Sequence, residues 1–389
     1  KWQHMVTYTV GLGLTRALDT TTPPLKWDGD SLSNNSATSS YLGLKNGTLN
    51  WPATGMSGSQ GLPGNVADLW HAALNSRGKF FSADDPEGLN TSLKSIVNDV
   101  AAKVGSGSSI AANSKRLGTT THIYLASFDS TDWSGELEAL TLGSNGTPGS
   151  AAWSANANLP APAARNIWTS SGGAATSFTG AFSGTLTADV VDYLRGVQTN
   201  ELPSGSFRSR SKILGDIVNP DPVFVGGDNF RLDALPTAIY PYASSYSTFA
   251  ATKSGTSMIY VGANDGMLHG FDAATGSEKF AYVPSALHGV LADLTDTNYP
   301  ANHKYFVDGS AGFGDAYWSG AWHTVLVGPL GAGGKMVFAL DITDPNSMDG
   351  SKVLWEFNGG TYASKMGHVF GPPTIAPFAD GHFYAVFSN

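Results

Sequence analysis

Short apolar runs separated by turn residues dominate the chain after about residue 106. The clearest example has apolar runs at 258–262, 267–272 and 278–283, joined by turns at 264–266 and 274–276. Asp-Gly between two apolar runs favours a tight hairpin, because the mirror-image turn needs a positive φ angle. The pattern therefore predicts three antiparallel strands in one meander.

The same layout occurs at two other places in the chain. Residues 121–155 and 323–357 each show strand, turn, strand, turn and a third strand that carries an aromatic residue. The aromatic residues of the three units are, in chain order, Trp153, Phe280 and Trp355. Repeated small meanders are typical of β-propeller blades. A β-sandwich is the alternative, but it does not require the same order of turns and aromatic residues in each unit.

The repeats predict a mainly β fold with an incomplete ring of blades. A fourth unit begins near Gly381, and a helix predicted around 190–194 makes the spacing uneven. Propellers close with about four to eight blades, so we do not expect the units in this chain to complete a ring. The chain starts at Lys1 without Met, and 383–389 stops inside a strand pattern, so both ends are interpreted as cut from a longer protein.

Residues 1–105 show a different, α/β pattern. A strand is predicted at 5–14, followed by a polar surface excursion at 19–64 and two helices. The first helix is expected to begin after Asn65 as its N-cap. Its predicted buried face consists of Val66, Leu69, Trp70, Ala73 and Leu74. The second helix is predicted to begin after Asp85 and to end at Gly105.

The amino-acid composition excludes several classes of function. Charged residues make up 14% of the 389 residues, below the usual ~25%, and the net charge is −9. An acidic chain is a poor match for nucleic acid, which needs clustered Lys and Arg. No apolar run approaches the roughly 20 residues that span a bilayer. The chain has no cysteine, which excludes disulfides, thiolate metal sites and cysteine catalysis.

One basic stretch interrupts the acidic background. Arg208, Arg210 and Lys212 alternate with Ser, and on a strand this spacing places all three cations on one face. We interpret the three residues as a solvated strand face, with binding of an anionic partner as the alternative.

Acidic residues and histidines outside this stretch fit structural roles. Asp265 and Asp272 are interpreted as turn formers, and His269 and His323 as ordinary strand residues, since no pair of histidines has metal-ligand spacing. The acidic cluster between two units, Asp341, Asp344 and Asp349, leaves weak cation binding open. Asp28 and Asp30 are interpreted as a solvated turn, because Leu32 stands where a calcium loop needs its next oxygen ligand.

Three glycine or serine motifs of enzymes are absent or incomplete. In 328–336, Pro329 replaces the first glycine of a phosphate loop and Met336 replaces its Ser or Thr, so a hairpin turn is predicted. In 11–16, Arg16 stands at the third glycine of a dinucleotide fingerprint. No Gly-x-Ser-x-Gly hydrolase elbow occurs.

Four longer strings, at 68–81, 209–224, 259–276 and 331–345, resemble the PilY-type family of type IV pilus tip adhesins. The resemblance implies a quinoprotein-like β-propeller at 106–389. In the family a von Willebrand A-like domain precedes the propeller, and its C-terminal part would be residues 1–105. The family's Asp-x-Ser-x-Ser metal motif belongs to an earlier strand and its calcium loop to later blades. No catalytic, cofactor-binding or metal-binding residue is therefore assigned to this chain, and calcium is expected only in other parts of the parent protein.

The resemblance also implies a function. PilY-type proteins are non-enzymatic, exported to the cell surface and the pilus tip, and act in pilus assembly, twitching motility and attachment. Their expected partners are minor pilins and a host or abiotic surface, without a membrane span. A generic extracellular propeller binding module is one alternative. The other is a quinone-dependent dehydrogenase, but such enzymes resemble one another in a disulfide of adjacent cysteines over the cofactor, which this chain lacks.

Overall fold

The computed structural model describes residues 7, 9–12, 25, 40–52, 63–76, 80–83, 109–112, 122–142, 148–180, 186–253 and 257–388. The chain divides into two compact units, 1–103 and 104–389. The assignment of residues 1–105 to a von Willebrand A-like domain stays a prediction.

The first unit is a small α/β arrangement. Its elements are β1 (Thr9–Leu12), α1 (Tyr41–Lys45), α2 (Pro63–Asn75) and β2 (Phe80–Ala83). Strands β1 and β2 pair in parallel, with α2 in the connection between them. Parallel strands need such a crossover because their ends lie far apart. Trp70, Ala73 and Phe80 lie in the core beneath α2.

Several predictions for the first unit need correction. Asn65 lies inside α2 and does not cap it; Pro63 occupies the first turn, where the missing N–H has no intrahelical partner to lose. Leu69 is 37% exposed, because it lies beside the stripe that Val66 and Trp70 form. The polar excursion contributes α1, whose Tyr41 and Leu44 side chains are buried in the core.

Other parts of these predictions lie outside the described residues. The predicted strand at 5–14 is described as β1 only over 9–12. The second helix, from Asp85 to Gly105, and the turn at Asp28 are not among the described residues.

Strands are the main regular structure of the second unit, and long connections with short helices join them. They are β3 (Ser109–Ala112), β4 (His122–Asp129), β5 (Ser134–Leu142), β6 (Pro148–Ser154), β7 (Ile167–Ser171), β8 (Ala174–Ser177), β9 (Val223–Val225), β10 (Met258–Ala263), β11 (Met267–Asp272), β12 (Glu278–Val283), β13 (Gly312–Trp318), β14 (Ala321–Pro329), β15 (Val337–Asp341), β16 (Val353–Phe357), β17 (Thr374–Pro377) and β18 (Phe383–Val386). The α-helices are α3 (Ala155–Asn158), α4 (Ala188–Arg195) and α5 (Tyr246–Thr252). The predicted helix around 190–194 is confirmed as α4.

The strands form three four-stranded antiparallel meanders, which we call blade 1 (β3–β6), blade 2 (β9–β12) and blade 3 (β13–β16). The three predicted meanders are confirmed, and each gains one strand in front that the sequence did not predict. A hairpin, β17–β18, follows blade 3, so the fourth unit begins at Thr374 and not near Gly381. Strands β7 and β8 extend blade 2, with β7 parallel to β12.

Apolar side chains fill the space between consecutive sheets. Between blades 1 and 2 lie Tyr124, Leu137 and Trp153 with Ile259 and Phe271. Between blades 2 and 3 lie Tyr260, Phe280 and Tyr282 with Leu326 and Phe338. Between blade 3 and the hairpin lie Val327 and Ala339 with Ile375 and Phe383. Each sheet thus packs on its neighbours along the chain, which is the packing of propeller blades and not of a two-layer sandwich.

The three predicted aromatic residues occupy the same register position. The pairs across the sheet are Trp153 with Ala139, Phe280 with Gly270, and Trp355 with Ala339, and each is followed by a bulge. Their burial differs, because Trp153 and Phe280 are 6% and 0% exposed and Trp355 is 38% exposed. Equivalent packing is therefore wrong for Trp355, whose blade faces only a two-stranded hairpin in the described chain.

Tyr260→Phe is expected to raise the free energy of unfolding by about 1 kcal/mol. The Tyr260 hydroxyl is buried between blades 2 and 3 and has no hydrogen-bond partner among the described residues. Burial also raises the pKa of this hydroxyl. Removing a buried polar atom without a partner relieves its desolvation cost.

Tyr282→Phe is the matched comparison for urea denaturation of the two variants. The Tyr282 hydroxyl donates to Glu356 at 2.9 Å, so this variant is expected to lose about 1–3 kcal/mol. Equal destabilisation by both substitutions would contradict the expectation for Tyr260.

Candidate functional site

A chain of four buried charged side chains crosses blade 2. Arg165 donates to both carboxylate oxygens of Glu278 at 2.6 and 2.7 Å. The Nδ1 atom of His269 lies 2.8 Å from Glu278, and its Nε2 atom lies 3.1 Å from the Asp265 carboxylate. Positive and negative groups therefore alternate, and all four side chains are buried.

Local structure brings these groups together. Asp265 lies in the turn after β10, His269 on β11 and Glu278 at the start of β12. The predicted turn role of Asp265 is confirmed, since its carboxylate accepts from the N–H of Met267 at 3.1 Å. His269 lies on a strand as predicted, but it also belongs to a buried ionic network that the sequence did not predict. The signal for this network was the presence of charged residues in otherwise apolar strands.

The network fixes the charge of its members. Burial alone would lower the pKa of His269, but Asp265 and Glu278 outweigh burial and raise it to about 9. Burial alone would raise the pKa of Glu278, but Arg165 outweighs burial and lowers it to about 2. Near neutral pH His269 is therefore a cation and Glu278 an anion. Each group is already bonded to another, so the arrangement stabilises the blade and leaves no free base or nucleophile.

We expect the contribution of His269 and Glu278 to the free energy of unfolding to be greatest between about pH 4.5 and 6.5. His269 has a raised pKa, so its contribution is complete below its ordinary value of 6.5 and is lost as the pH rises to about 9. Glu278 has a lowered pKa, so its contribution is present above its ordinary value of 4.5 and is lost as the pH falls towards 2. Urea denaturation from pH 3 to 10 measures both limbs. Constant stability from pH 6.5 to 9 would contradict the assignment of His269.

The basic stretch is not a solvated strand face, and this prediction is wrong. Arg208 and Arg210 are buried. Arg210 pairs with Glu201 at 2.8 Å and lies over the ring of Tyr193. Arg208 donates to backbone carbonyls, including that of Leu294 at 3.0 Å. These residues are not in a strand, so the alternation along the sequence does not place them on one face.

The exposed part of the basic stretch is small. The Lys212 side chain is the member that solvent reaches, and its ammonium lies 3.2 Å from the Glu136 carboxylate. An anionic partner would therefore meet one lysine that is already paired, and we correct the alternative interpretation as well.

The segment that follows is hydrogen-bonded to blade 1, to blade 2 and to the connection that leads to blade 3. We call residues 213–222 the tie segment. Leu214 accepts from the backbone of Gly135 in blade 1 at 2.7 Å. Asp216 accepts from the side chain of Asn264 in blade 2 at 2.7 Å. Asn219 donates to Asp308, in the connection to blade 3, at 2.8 Å.

His303 adds an aromatic contact to the tie segment. Its Nε2 atom lies 2.9 Å from the buried Asp216 carboxylate. Its ring stacks on Trp133, in the turn between β4 and β5, at 3.6 Å between ring centroids. The Trp133 indole N–H donates to the carbonyl of Pro300 at 3.0 Å. Sequence reasoning missed this contact, because the two rings lie far apart along the chain.

Asp308 is the least satisfied carboxyl group near the tie segment. One carboxylate oxygen accepts from Asn219, and the other has no hydrogen-bond partner among the described residues. Burial raises the pKa of Asp308 to about 6, and the Asp216 carboxylate adds to this shift. The described His, Asp and Glu residues include no group of three arranged to hold a metal ion.

The acidic cluster lies inside blade 3, at the connection from β15 to β16, and not between two units as predicted, and its carboxylates cap turns. Asp341 lies 2.9 Å from His323 and accepts from the Thr343 backbone at 3.0 Å. Asp344 accepts from the Asn346 backbone, and Asp349 from that of Ser351. These contacts account for each carboxylate without a cation, so we retain the structural interpretation. His323 lies on β14 as predicted, although it is paired.

The remaining sequence motifs form turns wherever the structure describes their residues. The glycine-rich string at 331–334 joins β14 to β15, as predicted. Asp272 accepts from the backbone of Ala274 and Thr275, which confirms it as a turn former. Arg16, from the dinucleotide-like string, lies outside the described residues. Among the described helices, none has the length and apolar character needed to cross a bilayer.

An exposed aromatic strip lies at the end of the described chain. It consists of Trp355, Phe357, Phe378, Tyr384 and Val386, all exposed. A groove of about 350 Å³ between blade 3 and the hairpin is lined partly by Trp355 and Tyr384. Contiguous exposed apolar side chains mark surfaces that pack on other protein.

Comparisons with known proteins identify relatives of this chain. Residues 214–389 match the family model described as the PilY1 beta-propeller domain. The chain is 40% identical over 425 residues to the type IV pilus biogenesis factor PilY1 of Pseudomonas aeruginosa strain PAK, covering 100% of the chain and 35% of the relative. A PilY1 homolog of Xylella fastidiosa strain Temecula1 is 39% identical over 320 residues, covering 80% of the chain and 25% of the relative.

A solved structure is also similar in sequence. The crystal structure of the Pseudomonas aeruginosa PilY1 C-terminal domain shares 43% identity, covers 42% of this chain and 30% of that chain, and has a TM-score of 0.33. The chain spans about a third of the length of the Pseudomonas relative, 35%. Residues 214–389 belong to the β-propeller domain of the PilY-type family, and the whole chain is similar to one part of the longer PilY1 protein.

Proposed function

We propose that this segment works as a non-enzymatic part of a type IV pilus assembly factor and tip adhesin. The propeller half docks to minor pilins, and the A-like region is presented for attachment to a host or abiotic surface. The observation that carries the proposal is the match of the whole chain, at 40% identity, to a protein named a type IV pilus biogenesis factor. The parent protein is exported and acts at the cell surface.

The chemistry of the described residues supports a scaffold. Buried ions such as Arg165 and Glu278 bond to each other and hold the blades, so their charges are not available to a substrate. A low charge density also fits docking by contact more than steering by a strong field.

Co-purification from sheared pili tests the docking part of the proposal. The full-length parent is tagged in the bacterium that encodes it, and the proteins recovered with it are quantified by mass spectrometry. We expect minor pilins to be enriched over the major pilin relative to whole pili. Recovery of no pilin, or of pilins in the ratio of the shaft, would contradict docking at the tip. An untagged strain controls for carry-over.

We expect neither calcium nor quinone to bind this segment tightly. The family's calcium loop belongs to later blades, and the chain lacks the cysteines of the quinone enzymes. Titration calorimetry of the purified segment with calcium, and then with pyrroloquinoline quinone plus calcium, should show no saturable heat. A micromolar site for quinone would favour the dehydrogenase alternative.

A further inference from the structure

The connection between β9 and β10 does not stay with blade 2. We call residues 228–253 of this connection the strap. It contains α5 and lies against β13 and β14 of blade 3, where Trp322 packs on Tyr246 and Phe249. The strap therefore connects two strands of blade 2 but packs against blade 3.

A buried ion pair anchors the end of the strap to blade 3. The Lys253 ammonium lies 2.8 Å from both carboxylate oxygens of Asp315 on β13. The Tyr246 hydroxyl donates to the same carboxylate at 2.7 Å, and the Thr324 hydroxyl donates at 2.8 Å. Both charged side chains are almost fully buried. Such a pair strongly fixes the position of the strap, because separating it would leave a buried charge unpaired.

Aromatic stacking forms a second anchor on the same blade. The ring of Tyr242 is parallel to that of Tyr317, with centroids 3.7 Å apart. Trp322 meets Tyr242 and Tyr246 edge to face at 5.6 and 4.8 Å. The Trp322 indole N–H also donates to the Ser245 hydroxyl at 3.0 Å.

The strap reaches beyond blade 3 to the turn of the β17–β18 hairpin. The Tyr240 hydroxyl donates to the carbonyl of Phe378. The Tyr242 hydroxyl donates to the carbonyl of Gly381 at 3.0 Å. The ring of Phe383, on β18, lies 5.9 Å from Tyr240. Both ends of the hairpin turn are thus hydrogen-bonded to the strap, which connects two strands of blade 2.

The hairpin needs such support. Strands β17 and β18 have four residues each and pair only with each other among the described strands. An isolated two-stranded hairpin is marginally stable in water. Packing on blade 3 stabilises the hairpin. The strap adds hydrogen bonds that the hairpin cannot form alone.

We propose that the strap is a clasp that ties the β17–β18 hairpin to blades 2 and 3. Releasing the clasp would leave blades 2 and 3 folded while the hairpin opens. The clasp concerns folding of the chain itself and holds whether or not the pilus proposal is correct.

Hydrogen exchange of the purified chain tests the clasp with the double variant Tyr240→Phe plus Tyr242→Phe. The substitutions keep both rings and remove only the two hydroxyl donors. We expect the amides of β17 and β18 to exchange about tenfold faster, while those of β10 and β11 are unchanged. Tyr362→Phe, which changes an exposed tyrosine, is the matched control and should change neither set.

Two outcomes would overturn the clasp. Unchanged exchange in β17 and β18 would show that packing on blade 3 holds the hairpin without the strap. An equal acceleration in β10 would show that the hairpin opens only when blade 2 unfolds. Because the measurement needs no pilin, neither outcome bears on the proposed role in pili.

Discussion

Glu278→Gln is expected to lower the free energy of unfolding by about 3–5 kcal/mol, the usual cost of breaking a buried ion pair from one side. The substitution keeps the shape of the side chain but removes its charge. Arg165 and the cationic His269 would then share a buried neutral amide, which accepts fewer hydrogen bonds and balances neither charge. Urea denaturation at pH 6 measures the loss.

Glu138→Gln is the matched control for this variant. Glu138 lies on β5, is partly exposed, and has no ion pair among the described residues. We expect a change within about 0.5 kcal/mol. Equal effects of the two substitutions would contradict the role given to the buried network in blade 2.

Trp153→Ala is expected to cost about 3–5 kcal/mol. The ring packs between blades 1 and 2, and its indole N–H donates to the carbonyl of Ala273 at 3.0 Å. The ring also lies over Gly276, where φ is +71° and a Cβ atom would approach the indole to 2.5 Å. Truncation leaves a cavity and removes one of two donors to the Ala273 carbonyl, which still accepts from the Tyr124 hydroxyl at 3.2 Å. Chemical denaturation, with an unchanged dependence on urea, measures the loss.

Trp355→Ala provides an unusually close comparison. Trp355 has the same register position in blade 3 but is 38% exposed. We expect it to cost only about 1 kcal/mol. If Trp355→Ala costs as much as Trp153→Ala, coverage by the next blade is not what stabilises this position.

The meanders could be predicted because their signals are local. Asp-Gly at 265–266 and the alternation around it specify a hairpin without reference to the rest of the chain. The first strand of each blade could not be predicted in this way. Strand β9 has only three residues, and the strap separates it from β10. Its pairing partner is therefore set by tertiary packing.

The sequence did not predict which charged side chains are buried. Arg208 fits an exposed strand when only its neighbours are considered, yet its partners include carbonyls of Asp132 and Leu294, far away in sequence. The same holds for His303, which meets Trp133 only because the blades pack side by side. No site residues were predicted, and the tie segment and the strap emerged only from long-range contacts. The family string at 209–224 contains the tie segment, whereas the strap at 228–253 lies outside all four strings.

Labelled electron microscopy of sheared pili tests whether the parent protein lies at the pilus tip, as proposed. The full-length parent protein, carrying an epitope tag, is expressed in its own bacterium and detected with gold-labelled antibody. We expect label at one end of the pili, at the tip, and none in a strain that lacks the parent gene. Label spread along the shafts, or absent from pili altogether, would contradict the assignment of this chain to a pilus tip factor.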